Sequence, residues 1–342
     1  MDLRQALQQL AAGAGLSRQQ AKQVISASLR EDVDPVLLAA FLAALAQRGE
    51  TVEEITGAAE ALRAAMIPFE HDCPEAVDNC GTGGDGLGLF NLSTTAALVA
   101  AAAGATVIKH GNRASSSRCG SADLLEAAGV ALELDASQSR EVLEEVGICF
   151  LFAPNFHPAM RFAAPVRRTL GIRTLFNFLG PLANPGGVRR HLLGLSDGQR
   201  VPAFAEVLRE LQVERAYVVH GFGGADELTL GGDNLVAEVG PVPATAWNAA
   251  ELGLSTASVS ELQGGDSSVN LKLLQDVLTG ERGPVHDAVV LNAAATLVTA
   301  GRAAQPQEGV AMARESLASG RAADRLKAWV ACSHKVSKRT TA

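Results

Sequence analysis

Apolar residues recur at helical spacing through the first 66 residues and predict four helices. The expected helices are Leu3–Ala12, Ser17–Arg30, Pro35–Gln47 and Thr51–Met66. The last begins with Thr51-Val52-Glu53-Glu54, a capping-box pattern in which each end of the motif satisfies a backbone donor of the other. The pattern stops between Pro68 and Asp78, and we place a domain boundary there.

Short apolar segments alternate with helical patterns over the rest of the chain, which is typical of an α/β layer with a mostly parallel sheet. The expected strands are Ala105–Ile108, Ile148–Phe152, Ala216–His220 and a weaker one at Leu235–Val239. The expected helices are Ala122–Ala128, Ser137–Val146, Val285–Thr299 and Gln307–Ala318. Because Val285–Thr299 is apolar almost all round, we expect it to be buried.

Composition and charge restrict the possible functions. The 342 residues are 47% hydrophobic but only 4% aromatic, which predicts a core of Ala, Leu and Val. The 29 basic and 37 acidic residues give a net charge of −8, which argues against a nucleic-acid-binding protein. The five scattered cysteines show no zinc or disulfide spacing. With no apolar run of about 18 residues and no signal-peptide pattern, we expect a soluble, cytoplasmic protein with a solvated basic tail, Lys335–Arg339.

The stretch from Asp78 to Ser121 contains the chain's densest chemistry. Gly81-Thr82-Gly83-Gly84-Asp85-Gly86 has four glycines, so its backbone can take positive φ and present free amides to an anion. Asn91-Leu92-Ser93-Thr94 precedes the apolar run Ala96–Ala103, where a helix N-terminus would favour a phosphate. Lys109 is expected to emerge from the strand Ala105–Ile108, with Arg113 and Arg118 supplying further cations.

Each of these motifs alone is most often an ordinary turn or helix cap, but their succession in one stretch indicates a phosphate site. The glycine loop is neither a P-loop, which needs Gly-Lys-Ser/Thr, nor a GxGxxG dinucleotide turn. A different kind of phosphate-binding protein is therefore indicated.

The sequence resembles the anthranilate phosphoribosyltransferase family over nearly its whole length. The family's motifs are present as GTGGDG at Gly81–Gly86, NLST at Asn91–Thr94, KHGNR at Lys109–Arg113 and GSAD at Gly120–Asp123. A further block, HPAM…VRRTLG.RT.FN..GPL.NP, covers His157–Pro185, and an Asp-Glu pair follows at Asp226–Glu227.

The resemblance implies a small N-terminal helical domain, residues 1–70, joined in space by about 157–185. A large α/β domain of the nucleoside phosphorylase/phosphoribosyltransferase type would span residues 71–342. The implied reaction transfers the phosphoribosyl group of PRPP to the amine of anthranilate and releases pyrophosphate, in tryptophan biosynthesis. The family is typically homodimeric through its helical domain, and its active site lies between the domains.

The resemblance also implies the site residues. One or two Mg²⁺ per subunit would be held by Ser93, Asp226 and Glu227, and anthranilate by Gly81, Asn112 and Arg167, with Arg168 and Arg173 as nearby alternatives. His110 and His157 are candidates for the wall of the aromatic pocket. The residues that would bind PRPP are Gly81, Gly84, Asp85, Leu89, Asn91, Leu92, Ser93, Thr94, Lys109, His110, Gly111, Asn112, Arg113, Ala114, Ser115, Ser116, Ser117 and Ser121.

No general base is assigned, because an arylamine is neutral near pH 7 and can attack before it loses its proton. Three positions depart from the family pattern. Leu89 replaces the usual Thr, Cys119 replaces a common Ser, and Ala225 stands where a larger apolar residue is usual. We expect these changes to alter affinity rather than abolish activity.

Two other functions remain open on the sequence. A pyrimidine nucleoside phosphorylase would share the fold and a related Lys and Ser-Gly arrangement, but would bind one phosphate and a nucleoside. A non-catalytic paralogue that binds nucleic acid would lose Asn112 and Arg167 and gain a basic face, and this chain has done neither.

Overall fold

A computed structural model describes residues 1–114 and 117–341. The N-terminal part contains four helices: α1 (Leu3–Ala11), α2 (Arg18–Ser28), α3 (Pro35–Arg48) and α4 (Val52–Ala65). Each begins where the side chain of an Asp, Ser or Thr accepts a backbone N–H of the first turn. The capping box predicted at Thr51 and Glu54 is confirmed. The four predicted helices therefore form, with ends shifted by one or two residues.

A six-stranded sheet forms the centre of the remaining chain. Its strands are β1 (Val77–Gly81), β2 (Val107–Gly111), β3 (Ile148–Phe152), β4 (Arg190–Gly194), β5 (Arg215–His220) and β6 (Leu235–Val239). Their order is β3-β2-β1-β4-β5-β6, and only the last pair is antiparallel. The predicted mostly parallel sheet is confirmed, although β1 and β4 were not anticipated.

Within the described ranges, ten further α-helices surround this sheet. They are α5 (Leu92–Ala102), α6 (Ser121–Ala127), α7 (Ala136–Val146), α8 (Ala153–Phe156), α9 (Met160–Leu170), α10 (Val201–Glu210), α11 (Ser267–Leu278), α12 (Pro284–Thr299), α13 (Pro306–Ala318) and α14 (Arg321–Ser337). The expected burial of α12 is confirmed, since nearly all its residues are inaccessible. None of the helices in the described ranges has the length and apolarity needed to cross a bilayer.

Two hydrophobic cores lie on opposite faces of the sheet. Along β5, Tyr217 and Val219 enter the core built around α5 and α12, whereas Ala216 and Val218 enter the other. That second core also contains buried residues of α1–α4, α9 and α10. The N-terminal helices, the segment 157–185 and one face of the sheet therefore share a single apolar interior.

Polar contacts reinforce this shared interior at its edges. Arg18 of α2 pairs with Glu210 of α10 at 2.7 Å, and Arg63 Nε of α4 donates to the carbonyl of Leu182 at 2.7 Å. The N-terminal helices are thus fastened both to the sheet's own helix and to the segment 157–185.

The strand order reverses at β1, because the chain adds β2 and β3 on one side and then β4 and β5 on the other. In open parallel sheets, ligands bind at the carboxyl ends of the strands beside such a reversal. The loops after β1, β2, β4 and β5 all lie at that edge, so a ligand site is expected there.

Candidate active site

The glycine loop begins at the carboxyl end of β1 and lies against the loops of neighbouring strands. The amide of Thr82 donates to the carbonyl of Gly194 at the end of β4, at 2.9 Å. A Cβ at Gly81 would overlap the carboxylate of Asp226, so only glycine allows this approach. Gly83 and Gly84 have φ of +67° and +75°, a conformation that glycine adopts without strain.

The acidic pair reaches the same edge from β5 and contacts two of the other motifs. Asp226 Oδ2 accepts the amide N–H of Gly83 at 2.6 Å. Glu227 Oε1 accepts the amide N–H of Ser93, in the first turn of α5, at 3.0 Å. The glycine loop, the helix that starts at Leu92 and the acidic pair therefore meet in one place.

This meeting point has more buried negative charge than positive. Burial, together with the nearby carboxylates of Glu227 and Asp85, raises the pKa of Asp226 well above its ordinary value. Burial also raises the pKa of Glu227 to about 7, opposed by the positive charge of Lys109 and by hydrogen bonds from Ser93. Both carboxylates would gain from a cation placed between them.

The donor set fits a magnesium ion that shares its coordination with a ligand. Among the described residues, no group of three or more His, Cys, Asp or Glu is arranged to hold a metal alone. Mg²⁺ is usually bound by one or two carboxylates together with waters and substrate phosphates. Asp226, Glu227 and the hydroxyl of Ser93 supply that partial set, and the remaining oxygens would come from the substrate and solvent.

Lys109 lies within β2 rather than emerging after a strand, which corrects the sequence prediction. The predicted strand Ala105–Ile108 begins two residues and ends three residues too early, because the chain stays extended through Lys109, His110 and Gly111. Lys109 is only 2% exposed, and its Nζ donates to the backbone carbonyl and the Oδ1 of Asn79. It therefore supplies positive charge from inside the sheet.

The loop after β2 is organised by an acidic residue of α6. Asp123 Oδ2 accepts the amides of Ala114 and Gly120 at 2.9 and 2.8 Å. Arg113 pairs with Asp123 and with Glu126, at 3.2 and 2.7 Å, so its charge is already balanced in this structure. Ser117 and Arg118 are exposed, while Ser115 and Ser116 lie outside the described residues.

Asn91 connects the glycine loop's downstream end to the loop before α6 and to helix α11. Its Nδ2 donates to the carbonyl of Cys119 at 3.1 Å, and its Oδ1 accepts from Nδ2 of Asn270 at 2.8 Å. Leu89 forms an isolated bridge with Gln263 instead of presenting a hydroxyl. The hydroxyl of Thr94 is buried and has no hydrogen-bond partner among residues 1–114 and 117–341, which leaves a donor free for a ligand.

Beside this region lies a pocket wall formed by two histidines. The rings of His110 and His157 are 5.0 Å apart, and His110 Nδ1 contacts the carbonyl of Gly180 at 3.1 Å. Burial lowers the pKa of His110 to about 3 and that of His157 to about 4, so both are neutral at pH 7. Among the described residues, Nε2 of His110 is buried without a hydrogen-bond partner, and His157 is buried beside it. The uncharged aromatic ring of a ligand that also has polar substituents would suit this wall.

Arg167 lies in the last turn of α9 as a partly desolvated cation. Its Nε is buried and has no hydrogen-bond partner in the part of the chain that the structure describes. Its Cζ lies 5.6 Å from the ring centre of Phe176, and burial lowers its pKa. No ion pair, and no hydrogen bond to Gly81 or Asn112, involves Arg167 in the described part of the chain. Among the alternatives, Arg168 is exposed, while Arg173 binds the carbonyl of Gly83 at 2.6 Å.

The structure adds a buried carboxylate, Asp78, that sequence reasoning missed. Asn184 Nδ2 donates to Asp78 Oδ2 at 2.8 Å and also to the carbonyl of Ile108, which joins β1 to β2. Burial raises the pKa of Asp78 to about 6, opposed by the charge of Lys109. The available signal was an acidic residue immediately before the glycine loop, with Asn184 in the Asn-Pro pair downstream.

Comparisons with known proteins agree with this geometry. The helical bundle domain of the glycosyl transferase family matches residues 4–66, and the a/b domain of that family matches residues 73–323. The chain is 49% identical over 331 residues to the anthranilate phosphoribosyltransferase of Roseiflexus sp. (strain RS-1), covering 96% of this chain and 97% of that one.

Two solved structures show the same fold. Anthranilate phosphoribosyltransferase from Thermus thermophilus has a TM-score of 0.91 and 49% identity, covering 96% of this chain and 99% of that one. The Saccharomyces cerevisiae enzyme in complex with PRPP and Mg has a TM-score of 0.88 and 26% identity, covering 97% and 98%. The helical-domain-plus-α/β fold predicted from the sequence is thereby confirmed.

Proposed function

This chain belongs to the anthranilate phosphoribosyltransferase family, and we propose that the cleft at the carboxyl edge of its sheet is where it transfers the phosphoribosyl group of PRPP to the amine of anthranilate. The observation that carries this assignment is the meeting of Gly83 with Asp226 and of Ser93 with Glu227. Two loops suited to phosphate and one acidic pair suited to magnesium share a single edge.

We assign the diphosphate end of PRPP to the glycine loop and the start of α5. Backbone amides and a helix N-terminus attract anions through partial positive charges. They can therefore stabilise the negative charge that develops on the leaving pyrophosphate. Lys109 adds a buried positive charge beneath them. The downstream residues Asn112 and Ser121, joined at 3.2 Å, would complete the ribose and phosphate contacts.

Mg²⁺ bound by Ser93, Asp226 and Glu227 would neutralise negative charge on the diphosphate. The chain's own residues then position the reacting atoms. Asp226 and Glu227 hold the glycine loop and the start of α5 together, so the leaving group meets donors already in place. Departure of pyrophosphate breaks the bond to the anomeric carbon, and the amine of anthranilate forms the new C–N bond there.

We place anthranilate between the two histidines and Arg167. The guanidinium of Arg167 lacks a carboxylate in the described ranges, and a planar carboxylate is its best-matched ligand. Because His110 and His157 are neutral at pH 7, they can contact the ring and its amine without repelling a developing ammonium. No side chain is needed to activate the arylamine before attack.

The direct test mixes the purified protein with Mg²⁺, PRPP and anthranilate and follows the loss of anthranilate fluorescence. We expect turnover that needs all three and stops when EDTA removes the metal. Release of base from thymidine or uridine by orthophosphate, without anthranilate turnover, would instead favour the phosphorylase, which the relatives described above do not support.

We further propose, from the resemblance, a cytoplasmic homodimer that uses the helical domain as its contact surface, with one or two Mg²⁺ per subunit. Sedimentation equilibrium gives the assembly state. Calorimetric titration of Mg²⁺ in the presence of PRPP gives the number of ions bound.

A further inference from the structure

We propose that Arg173 is a positioning residue that holds the glycine loop folded against the segment that carries Arg167. The function in catalysis rests on the transferase activity proposed above, whereas the contact itself does not. Arg173 lies between α9 and Phe178, in the segment 157–185 that shares its core with the N-terminal helices. Its Nη1 donates to the carbonyl of Gly83 at 2.6 Å.

Both backbone polar groups of Gly83 make hydrogen bonds. Its N–H binds Asp226 Oδ2 at 2.6 Å and its carbonyl binds Arg173, so this one residue connects the acidic pair to the Arg167 segment. A cation that occupies Asp226 Oδ2 would compete with the Gly83 N–H for that oxygen. Arg173 would then be the remaining anchor of the loop when the metal and PRPP bind.

Arg173 is itself well placed to be an anchor. Its Cζ lies 5.6 Å from the ring centre of Phe178, a buried side chain that packs against Phe204 and also receives Arg200 at 4.5 Å. Arg200 pairs with Glu50, but no carboxylate pairs with Arg173 among the residues that the structure describes. The loop carbonyl is thus the contact toward which this guanidinium is directed.

Gly84 makes the same contact possible from the loop's side. A Cβ at this position would overlap Arg173 Nη1, and Gly84 also has a positive φ of +75°. The guanidinium therefore lies against the bare face of the loop. A methyl group at residue 84 would displace Arg173 as well as strain the backbone.

The contact attaches the loop assigned to the diphosphate to the segment that carries Arg167. The loop assigned to the diphosphate cannot unfold without releasing Arg173, six residues after Arg167 on the same segment. Loss of Arg173 should therefore weaken PRPP binding through the loop and leave anthranilate binding nearly unchanged. Direct binding of anthranilate by Arg173 would produce the opposite pattern.

The experiment compares Arg173→Gln with Arg161→Gln, an exposed arginine at the start of α9 that stacks on Phe162. Hydrogen exchange of peptides covering residues 81–88 is measured on the ligand-free full chain. We expect exchange about tenfold faster in Arg173→Gln, the effect of losing one hydrogen bond from a charged donor, and no change in the control. Unchanged exchange in Arg173→Gln would overturn the proposal, whether or not the protein proves to be a transferase.

A kinetic comparison and a double variant complete the test. In Arg173→Gln, we expect the PRPP concentration for half-maximal rate to rise about tenfold and that of anthranilate to change less than twofold. Gly84→Ala should speed loop exchange more in the parent than in Arg173→Gln, because the guanidinium that the methyl meets is then absent. A larger rise for anthranilate than for PRPP, or equal effects of Gly84→Ala in both backgrounds, would contradict the assigned role.

Discussion

Replacing Arg167 with Met should raise the anthranilate requirement and stabilise the fold at the same time. Met keeps a similar aliphatic stem and a similar helix propensity in the last turn of α9, but removes the guanidinium. A hydrogen bond between charged groups contributes about 1.5–3 kcal/mol, which corresponds to a tenfold to hundredfold higher anthranilate concentration for half-maximal rate. The PRPP requirement should stay within a factor of about two.

The gain in stability of Arg167→Met is expected in the absence of anthranilate, when the guanidinium of the parent protein has no ligand. Nε of Arg167 is buried and unpartnered among the described residues, and an unsatisfied buried donor costs about 1–3 kcal/mol. Since the rest of the guanidinium is partly solvated, we expect about 1 kcal/mol more free energy of unfolding in Arg167→Met. Urea denaturation at pH 7 measures it, and Arg161→Met is the matched control for losing an arginine from α9.

Anthranilate itself provides the third measurement. It should raise the thermal midpoint of the parent protein, because a ligand that binds only the folded state stabilises it, and should do so far less in Arg167→Met. A variant that keeps the parental anthranilate requirement would refute the carboxylate role. A variant that loses stability would refute the reasoning from the unpartnered nitrogen.

Three other predictions concern the buried charges and the helical core. Asp226→Asn with Glu227→Gln should abolish magnesium-dependent turnover. Because the pKa of Glu227 is raised from 4.5 to about 7, its ionisation weakens the metal-free fold as the pH rises through that range. Urea denaturation should therefore find the stability of the variant, relative to the parent protein, greater at pH 8 than at pH 5. Asp78→Asn should behave likewise between pH 4 and 6, since burial raises the pKa of Asp78 from 3.8 to about 6; a constant stability difference across that range would contradict it. Phe41→Ala removes a side chain that is 1% exposed and should cost about 3–5 kcal/mol in urea denaturation, whereas Val36→Ala, at an exposed site, should cost far less.

Sequence patterns predicted best the elements whose residues are all in the same environment, such as a strand that is buried along its whole length. Ile148–Phe152 is apolar throughout and is buried throughout, so its bounds as β3 match the prediction. β1 was missed because its Asp78 and Asn79 are polar residues inside the sheet, and their burial depends on Asn184 and Lys109, which are distant in the sequence. A local pattern cannot register partners supplied by another part of the chain.

Helix α14 illustrates a different omission. Its Trp329, Cys332 and Val336 are buried at helical spacing, yet the prediction treated Lys335–Arg339 as a solvated tail. In the structure Lys335 and Arg339 pair with Glu145 and Glu141 of α7, at 2.8 and 2.7 Å. Because charged residues dominate the composition of this segment, the apolar residues at helical spacing were overlooked in the sequence.

For the site, motif order indicated which loops matter but not how they touch. The contacts of Gly83 with Asp226 and Arg173 join residues more than 80 positions apart, and only the strand order brings them together. The balanced charge of Arg113 was likewise not predicted, since its partners Asp123 and Glu126 belong to α6 and meet Arg113 only once α6 has folded against the loop after β2.

The apolar interior shared by α1–α4, α9, α10 and the sheet means that the N-terminal helices are not a detachable module. Excising residues 1–66 would remove the part of this interior that α1–α4 supply, leave the apolar surface that faces them open to water, and invite aggregation of what remained. Exchanging this bundle for that of a distant relative would require refitting the same interface. The break between the two family matches, after residue 66 and before residue 73, is thus a junction in sequence, whereas in the described residues the two matched parts share one apolar interior.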